Sequence, residues 1–337
     1  MPERLGRYTL RLERPAGVLG FAAVAGKKEG EGPLGAAFDR VYPDADLGEA
    51  SWEKAEARMQ GDALRTALDK AGLSPAQLDC VLAGDLLNQC ISSTFGLREF
   101  GVPFLGQYGA CSTMAQALGL AALLVECGAA GRCAAVTSSH FCTAERQFRT
   151  PLEYGGQRAP TAQWTVTGAG AALLGPGGAP RVQAVTFGRM RDLGVKDASN
   201  MGAAMAPAAA QTLCDFWRDT GTGPQEYDLI LTGDLGAVGS ALLRDLLRRE
   251  GLDPGGRLQD CGLWIFDRAA QDVHAGGSGC GCSAAVLCSA VLQGMQAGRW
   301  RRVLFCGTGA LMSPTSSQQG ESIPGIAHAV LLEARGD

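Results

Sequence analysis

The feature that most constrains this chain is that it repeats itself. An apolar run ending in Gly-Asp-Leu, DCVLAGDLL (Asp79–Leu87), returns as DLILTGDLG (Asp228–Gly236). A glycine-containing turn, a long helix of small residues and Ala-Gly-Arg (Ala130–Arg132) then lead into CAAVTSS. Their counterpart is GGSGCGCSAAVLCSAVLQGMQAGR (Gly276–Arg299), which leads into RVLFCGTG. GAGAALL (Gly168–Leu174) closes the first series and GIAHAVLL, beginning at Gly325, closes the second. Three segments recurring in one order at near-equal spacing mean one structural unit used twice, with halves at 1–181 and 182–337.

Apolar period sets the elements of each unit. Short unbroken apolar runs are strands buried on both faces. They are expected at Gly17–Val24, Leu78–Leu82 and Cys133–Ser138 in the first half, and at Val182–Phe187 and Leu229–Thr232 in the second. Trp52–Ala71 has Leu64, Ala67, Leu68 and Ala71 on one helical face, and further helices are expected near Ala208–Thr220 and at Val238–Glu250. Strands alternating with helices imply mainly parallel sheets covered by helices. Two such units give an α/β fold of five layers, α/β/α/β/α, with a pocket where the halves meet at strand ends.

Charge and composition narrow the partners. The formal net charge of −4 is spread along the chain, with no basic block to suit nucleic acid. No run reaches the ~18 apolar residues that span a bilayer, and the start, MPERLGRYTLRLERP, lacks an apolar signal core. The chain is therefore expected to be soluble, or peripheral to a membrane through other subunits. Its twelve cysteines suit a reducing compartment. Cys127, Cys133, Cys214, Cys288 and Cys306 fall in apolar patterns and are expected to be small core residues. Cys280 and Cys282 form a C-x-C pair with no second pair at zinc spacing, so no metal is expected.

The chemistry concentrates in three places. In YGACSTMAQALGLAALL, Cys111 stands where a Gly-Ala turn enters a long apolar helix. A helix N-terminus has unpaired N–H groups and a dipole that favour an anion and lower a thiol's pKa. Cys111 is thus either a nucleophile or part of a ligand site. Among the three histidines, His328 lies inside an apolar strand and reads as structural. His140 at a strand end and His274 ahead of the AGGSGCG loop are each open to a site or a structural role. In ERQFRTPLEYGGQRAPTAQW, Arg146, Arg149 and Arg158 are interleaved with Phe148, Tyr154 and Trp164. Guanidinium forks beside flat walls suit a planar carboxylate, though any one of these arginines alone reads equally as a surface ion pair.

The duplicated pattern, with a cysteine opening the buried helix of half one, resembles the thiolase-like fold of thiolases and ketoacyl synthases. PFLGQYGACSTMAQALGLAALLV, TSSHFCTAERQFRTPLEYGGQRAPTAQWTVTGAGAALL and DVHAGGSGCGCSA look like the stage V sporulation protein AD family. That resemblance implies a thiolase-like fold that binds dipicolinic acid (pyridine-2,6-dicarboxylate) without turnover, in the spore's SpoVA transport complex. It implies action in uptake during sporulation and release in germination, peripheral to the spore inner membrane. The implied partners are dipicolinate, free or as its calcium chelate, the other SpoVA membrane proteins, and a second copy of the chain. No cofactor is implied. Ligand contacts are expected at Cys111, Ser112, His140, Arg146, Arg149, Arg158, Trp164, His274, Gly277 and Ser278.

The departures from the enzymes favour binding over turnover. Thiolase-like enzymes carry a Gly-His or Gly-Asn pair in the second-half glycine loop, where this chain reads Gly276-Gly277-Ser278-Gly279. A thioester oxyanion would lose that donor. Cys306-Gly307-Thr308-Gly309 is similar to the segment where thiolases place a second cysteine, and core packing explains it as well. The alternative expectation is an acyltransferase with Cys111 as nucleophile.

Overall fold

The computed structural model describes residues 1–148 and 158–334. Ten strands carry the two halves. In the first are β1 (Gly17–Ala25), β2 (Cys80–Gly84), β3 (Phe104–Gly106), β4 (Cys133–Ser139) and β5 (Gly168–Gly175). In the second are β6 (Arg181–Phe187), β7 (Leu229–Thr232), β8 (Leu258–Asp260), β9 (Arg302–Ala310) and β10 (Gly325–Glu333). The first array runs β3-β2-β4-β5-β1 and the second β8-β7-β9-β10-β6, joined by the single pairing Arg181↔Gly17.

The arrays are mixed rather than mainly parallel, which corrects the sequence expectation. β2 pairs parallel with β3 and β4, whereas β4–β5 and β5–β1 are antiparallel. The second half repeats this: β7 is parallel to β8 and β9, while β9–β10 and β10–β6 are antiparallel. The reason lies in the links. β9 returns to β10 through residues 311–324, which carry only the short helix Pro314–Gln318 and make no helical crossover to a parallel neighbour.

Helices α1 (Trp52–Ala71), α2 (Thr113–Glu126), α3 (Phe141–Phe148), α4 (Met201–Thr220), α5 (Gly236–Arg249) and α6 (Cys280–Val286) complete the layers. Strand alternation sorts their partners. Phe21, Leu82, Ala135 and Leu174 join Leu231, Phe305, Val330 and Leu332 around α2 and α6 in the central core. The alternate residues Ala22, Val81, Val136 and Leu173 face α1, and Ile230, Leu304, Ala327 and Leu331 face α4. The result is α/β/α/β/α, held by large buried side chains such as Leu64 and Phe305. Truncating one of these costs about 2–5 kcal/mol.

Two local expectations change. α4 starts at Met201, ahead of the expected Ala208, and carries Pro207 inside it. Alanines on both sides sustain the helix although Pro207 withholds one N–H. Cys127 is exposed and Cys214 half-buried, whereas Cys133, Cys288 and Cys306 are buried. Cys127 is the C-cap that follows α2, beyond the packed turns.

Candidate functional site

The site begins where β9 lets the Cys111 turn approach. A Cβ at Gly309 would lie 2.4 Å from the Gly109 carbonyl oxygen and 3.0 Å from the Ser112 nitrogen. Ala110 has φ 49°, the left-handed region, which costs an alanine on the order of 1 kcal/mol. That turn sets Cys111 on the pocket wall just ahead of Ser112, the residue capping α2. The first N–H groups are already used. Ser112 N donates to Gly109 O (3.1 Å) and Thr113 N to Ala110 O (3.3 Å). Ser112 Oγ donates to the same Gly109 oxygen at 2.7 Å, so Ser112 is buried in its own turn. The helix start therefore offers less to an anion than its position in the sequence suggests.

Beside Cys111 stands Asp234, buried just beyond β7. Its Oδ2 accepts from Ser278 Oγ (3.0 Å) and Gly279 N (2.9 Å), and its Oδ1 from Thr308 Oγ1 (2.8 Å). The Cys111 thiol lies within reach of the Asp234 charge. Gly279 has φ 102°, and a Cβ there would meet Ser139 Oγ at 2.6 Å, so only glycine brings this N–H to the carboxylate. Ser278 Oγ lies 4.0 Å from Cys111 Sγ. Burial first, and then the Asp234 charge, push the Cys111 thiol well above its ordinary range. Cys111 is 5% exposed and neutral, not the thiolate that a helix N-terminus alone would favour.

The pocket over Cys111 opens to solvent and has a cavity volume of about 60 Å³. Leu86, Ala144, Phe148, Met201 and Met312 are apolar walls, while Gln163, Thr165, Ser278 and Glu145 supply polar groups. Tyr108 also lines it, its hydroxyl donating to Met312 O at 3.3 Å. Gln163 Nε2 donates to Asp234 O and Gly277 O, both at 2.7 Å. Those two carbonyls fix which end of the amide is nitrogen. Its Oε1 is fully buried and has no partner among the described residues. Gly277 also pairs with Trp164, and Ser278 with Thr165, in a short parallel ladder that ties a first-half segment to the second-half loop.

The basic and aromatic residues divide. Trp164 stacks on Phe141 with centroids 3.8 Å apart and planes 7° apart. The Arg158 guanidinium lies 5.3 Å and 5.5 Å from those two rings. It pairs with the pocket residue Glu145 at 3.0 Å and donates to Gln163 O. Arg158 is not itself a wall residue, but it braces two that are. Arg146 is elsewhere: half-exposed, paired with Glu53, its guanidinium 5.4 Å from the centre of the Trp52 ring and lining a separate surface groove. Arg149 and Tyr154 lie outside the described residues.

The histidines do not converge on Cys111. His140 is buried, its Nε2 2.7 Å from Ala45 O and its Nδ1 accepting from Cys142 N at 3.1 Å. Nδ1 as acceptor makes Nε2 the donor, and burial lowers its pKa, so this is a neutral structural ring. His274 pairs with the exposed Asp272 at 3.2 Å and is not a pocket residue. His328 accepts from Gly188 N at 3.1 Å, and burial takes its pKa down to about 4.

Asp234, Gln163 and Thr308 were not singled out in the sequence. The repeated Gly-Asp-Leu was the available signal for Asp234. Nothing local marks Gln163 or Thr308, whose partners lie 71 and 74 residues away. Among the described residues no helix is long and apolar enough to cross a membrane, and no group of three or more His, Cys, Asp or Glu could hold a metal ion.

Two stacked mixed sheets, duplicated helices between them and a cysteine at the buried helix start define the thiolase-like class. Solved structures of that class share the architecture. The 3-oxoacyl-[acyl-carrier-protein] synthase III of Aquifex aeolicus superposes with a TM-score of 0.58 at 14% identity, over 94% of this chain and 99% of that one. The cerulenin-bound OleA of Xanthomonas campestris gives 0.60 at 15% identity, over 95% and 99%. At such identities the likeness is one of fold. Within the class, the sequence profile of Stage V sporulation protein AD (SpoVAD) matches residues 6–333. The stage V sporulation protein AD of Bacillus subtilis (strain 168) is 45% identical over 333 residues, 98% of each chain. The chain belongs to the stage V sporulation protein AD family.

Proposed function

We propose that this sporulation protein is a binding protein rather than an enzyme. Its ligand is pyridine-2,6-dicarboxylate, bound in the pocket over Cys111 for passage into the spore and release from it. The observation that carries this reading is the state of Cys111. A thioester-forming cysteine needs a base to ionise it and donors for the oxyanion. Here the sulfur is buried against a carboxylate, and neither His140 nor His274 is a pocket residue. The pocket also suits a flat ring: Phe148, Leu86 and Met312 make apolar walls, and Gln163, Thr165 and Ser278 are polar. One carboxylate would take the Arg158 guanidinium in exchange for its pair with Glu145.

A calorimetric titration with dipicolinate, run beside acetyl-CoA and malonyl-CoA, tests the reading. Saturable dipicolinate binding with no acyl adduct by mass spectrometry is expected. A stoichiometric adduct on Cys111 that turns over would assign the pocket to acyl transfer. The remaining partners belong to the same reading: the other SpoVA membrane proteins, and a second copy of the chain docked through β3. Phe104 and Leu105 are exposed there on the last strand of the first array, and an uncovered edge is a template for pairing.

A further inference from the structure

Away from the pocket, two thiols are placed for chemistry that ligand binding does not use. Cys80 opens β2 and Cys133 opens β4, and the two are register partners on adjacent parallel strands. Neighbouring strands lie ~4.8 Å apart, inside the Cα separation that a disulfide accepts. The sulfurs, both free thiols, already meet at 3.3 Å. Asp79, just ahead of Cys80, ties the two strand starts together. Its Oδ2 accepts from Gly131 N (2.7 Å) and Arg132 N (2.9 Å), and its own N–H donates to Arg132 O at 2.9 Å. The backbone is thus pinned beside both cysteines, and side-chain rotation is what remains to close the sulfur gap.

The two sulfurs are not equivalent. Cys80 is 7% exposed, whereas Cys133 is fully buried. The hydrogen bond between them lowers the Cys80 pKa against burial and the Asp79 charge, and it raises that of Cys133. Cys80 is therefore both the sulfur that a small oxidant reaches and the better thiolate.

We propose that Cys80 and Cys133 form a reversible disulfide that fastens β2 to β4 when the protein meets hydrogen peroxide. The Cys80 thiolate attacks one peroxide oxygen and the O–O bond breaks. This leaves a sulfenic acid on Cys80 and releases hydroxide, which takes up the Cys80 proton to become water. The Cys133 sulfur then attacks Cys80 Sγ, the S–O bond breaks, and the oxygen leaves with the Cys133 proton as a second water. Two thiols lose two electrons and one peroxide is reduced to two waters; a dithiol reductant reverses the bond by exchange. Beyond their far ends β2 runs on to Leu86 and β4 to Ala144, both on the pocket wall. The bond would staple the starts of the two strands that lead to that wall. It joins residues 53 apart in sequence, which restricts the unfolded chain. None of this depends on which ligand the pocket takes.

The test is peptide mapping of the whole protein after a few equivalents of hydrogen peroxide, with remaining thiols alkylated in denaturant. Trypsin cuts after Arg132, so one peptide begins at Cys133. That peptide should appear joined to the one carrying Cys80, with fragmentation placing the bond between those residues while Cys90 and Cys142 carry the alkyl label. Oxidised protein should melt at a higher Tm than reduced protein, and dithiothreitol should return it. Cys133→Ala should give no joined peptide and no rise in Tm. Cys80 and Cys133 both alkylated in protein whose exposed Cys127 has been oxidised overturns the inference, because the peroxide was active and passed the pair by. Cys80 driven to sulfinic acid beside an alkylated Cys133 also overturns it. A joined pair that leaves Tm unchanged or lower overturns the fastening role. If Cys133→Ala does not fold, the map and melt of the unaltered protein decide.

Discussion

Asp85 and Asp234 hold the same place in the two halves, each following the glycine of a Gly-Asp-Leu, yet it is Asp234 whose charge acts on the Cys111 thiol. Asp85 accepts from Leu87 N, Ser93 N and Ser93 Oγ, all within its own half. Asp234 accepts from Ser278, Gly279 and Thr308 and lies against the sulfur of the other half. The duplication supplied two buried carboxylates, and the glycine loop of the second half brought one of them to the pocket.

Asp234→Asn should make Cys111 reactive. Removing the negative charge lowers the thiol pKa, so the rate of alkylation by iodoacetamide at pH 8 should rise relative to the unaltered protein. The lost charge-assisted hydrogen bonds should cost about 1.5–3 kcal/mol of stability. An alkylation rate against pH that superposes on that of the parent protein would show that Asp234 does not control the sulfur.

Cys111→Leu should abolish dipicolinate binding by bulk alone, with an unchanged far-ultraviolet circular dichroism spectrum. The cavity is only about 60 Å³, so a larger side chain on its wall fills the space a ligand would need. Retained affinity in that variant would place the ligand elsewhere.

Arginine substitutions should separate pocket from surface. Arg158→Ala removes the partner of Glu145 beside the pocket from a site 14% exposed, and should weaken binding by about 2–5 kcal/mol. Arg146→Ala breaks its half-exposed pair with Glu53 and its contact with the Trp52 ring, and Arg248→Ala an exposed pair with Asp245. Each should change stability by less than about 1 kcal/mol and leave binding alone. Titrations of the three variants at two salt concentrations would check the ranking.

Stability should fall as pH rises from about 6.5 to about 8, above the range in which the lowered pKa values of the buried His140 and His328 oppose the trend. Burial raises Glu56 to about 8 and Asp260 to about 7, well above unfolded carboxylates near 4. In that window the folded chain holds protons that the unfolded chain has released, so each pH unit upward costs stability until the folded groups ionise. Thermal melts at pH 6.5, 7, 7.5 and 8 should show a declining Tm, with a shallower decline in Glu56→Gln and Asp260→Asn. A Tm that climbs across the window would contradict these assignments.

If β3 joins two copies, Leu105→Lys should convert a dimer into a monomer in sedimentation velocity. The residue is 44% exposed on that strand, so folding should be indifferent to the change. A monomer before substitution would remove the proposed interface.

Most of the architecture was legible because it is written twice, in local patterns. α1 spans Trp52–Ala71 as the apolar period requires, with Ser51 capping it and Gly72 at φ 63° closing it. Strand direction was not legible: period and length mark β5 and β10 as buried strands but say nothing about which way they run. Of the residues expected to contact a ligand, Cys111 and Ser278 line the pocket. Asp234, Gln163 and Thr308 meet only after both sheets are stacked, across separations that no local pattern encodes. Arg146 and His274 were chosen by residue type, and the side chains they meet first, Glu53 and Asp272, hold them away from the pocket.

The short ladder between Trp164–Thr165 and Gly277–Ser278 carries a consequence for biosynthesis. Gln163 is held by carbonyls of Asp234 and Gly277, and Asp234 in turn by Ser278, Gly279 and Thr308. A nascent chain that has emerged only as far as β8 has its first sheet, its Cys111 turn and both of its Gly-Asp-Leu segments, but nothing to hold Asp234 against the sulfur. The cavity is therefore among the last features to appear during translation, and a fragment carrying the first half alone would present the cysteine without the environment that quiets it.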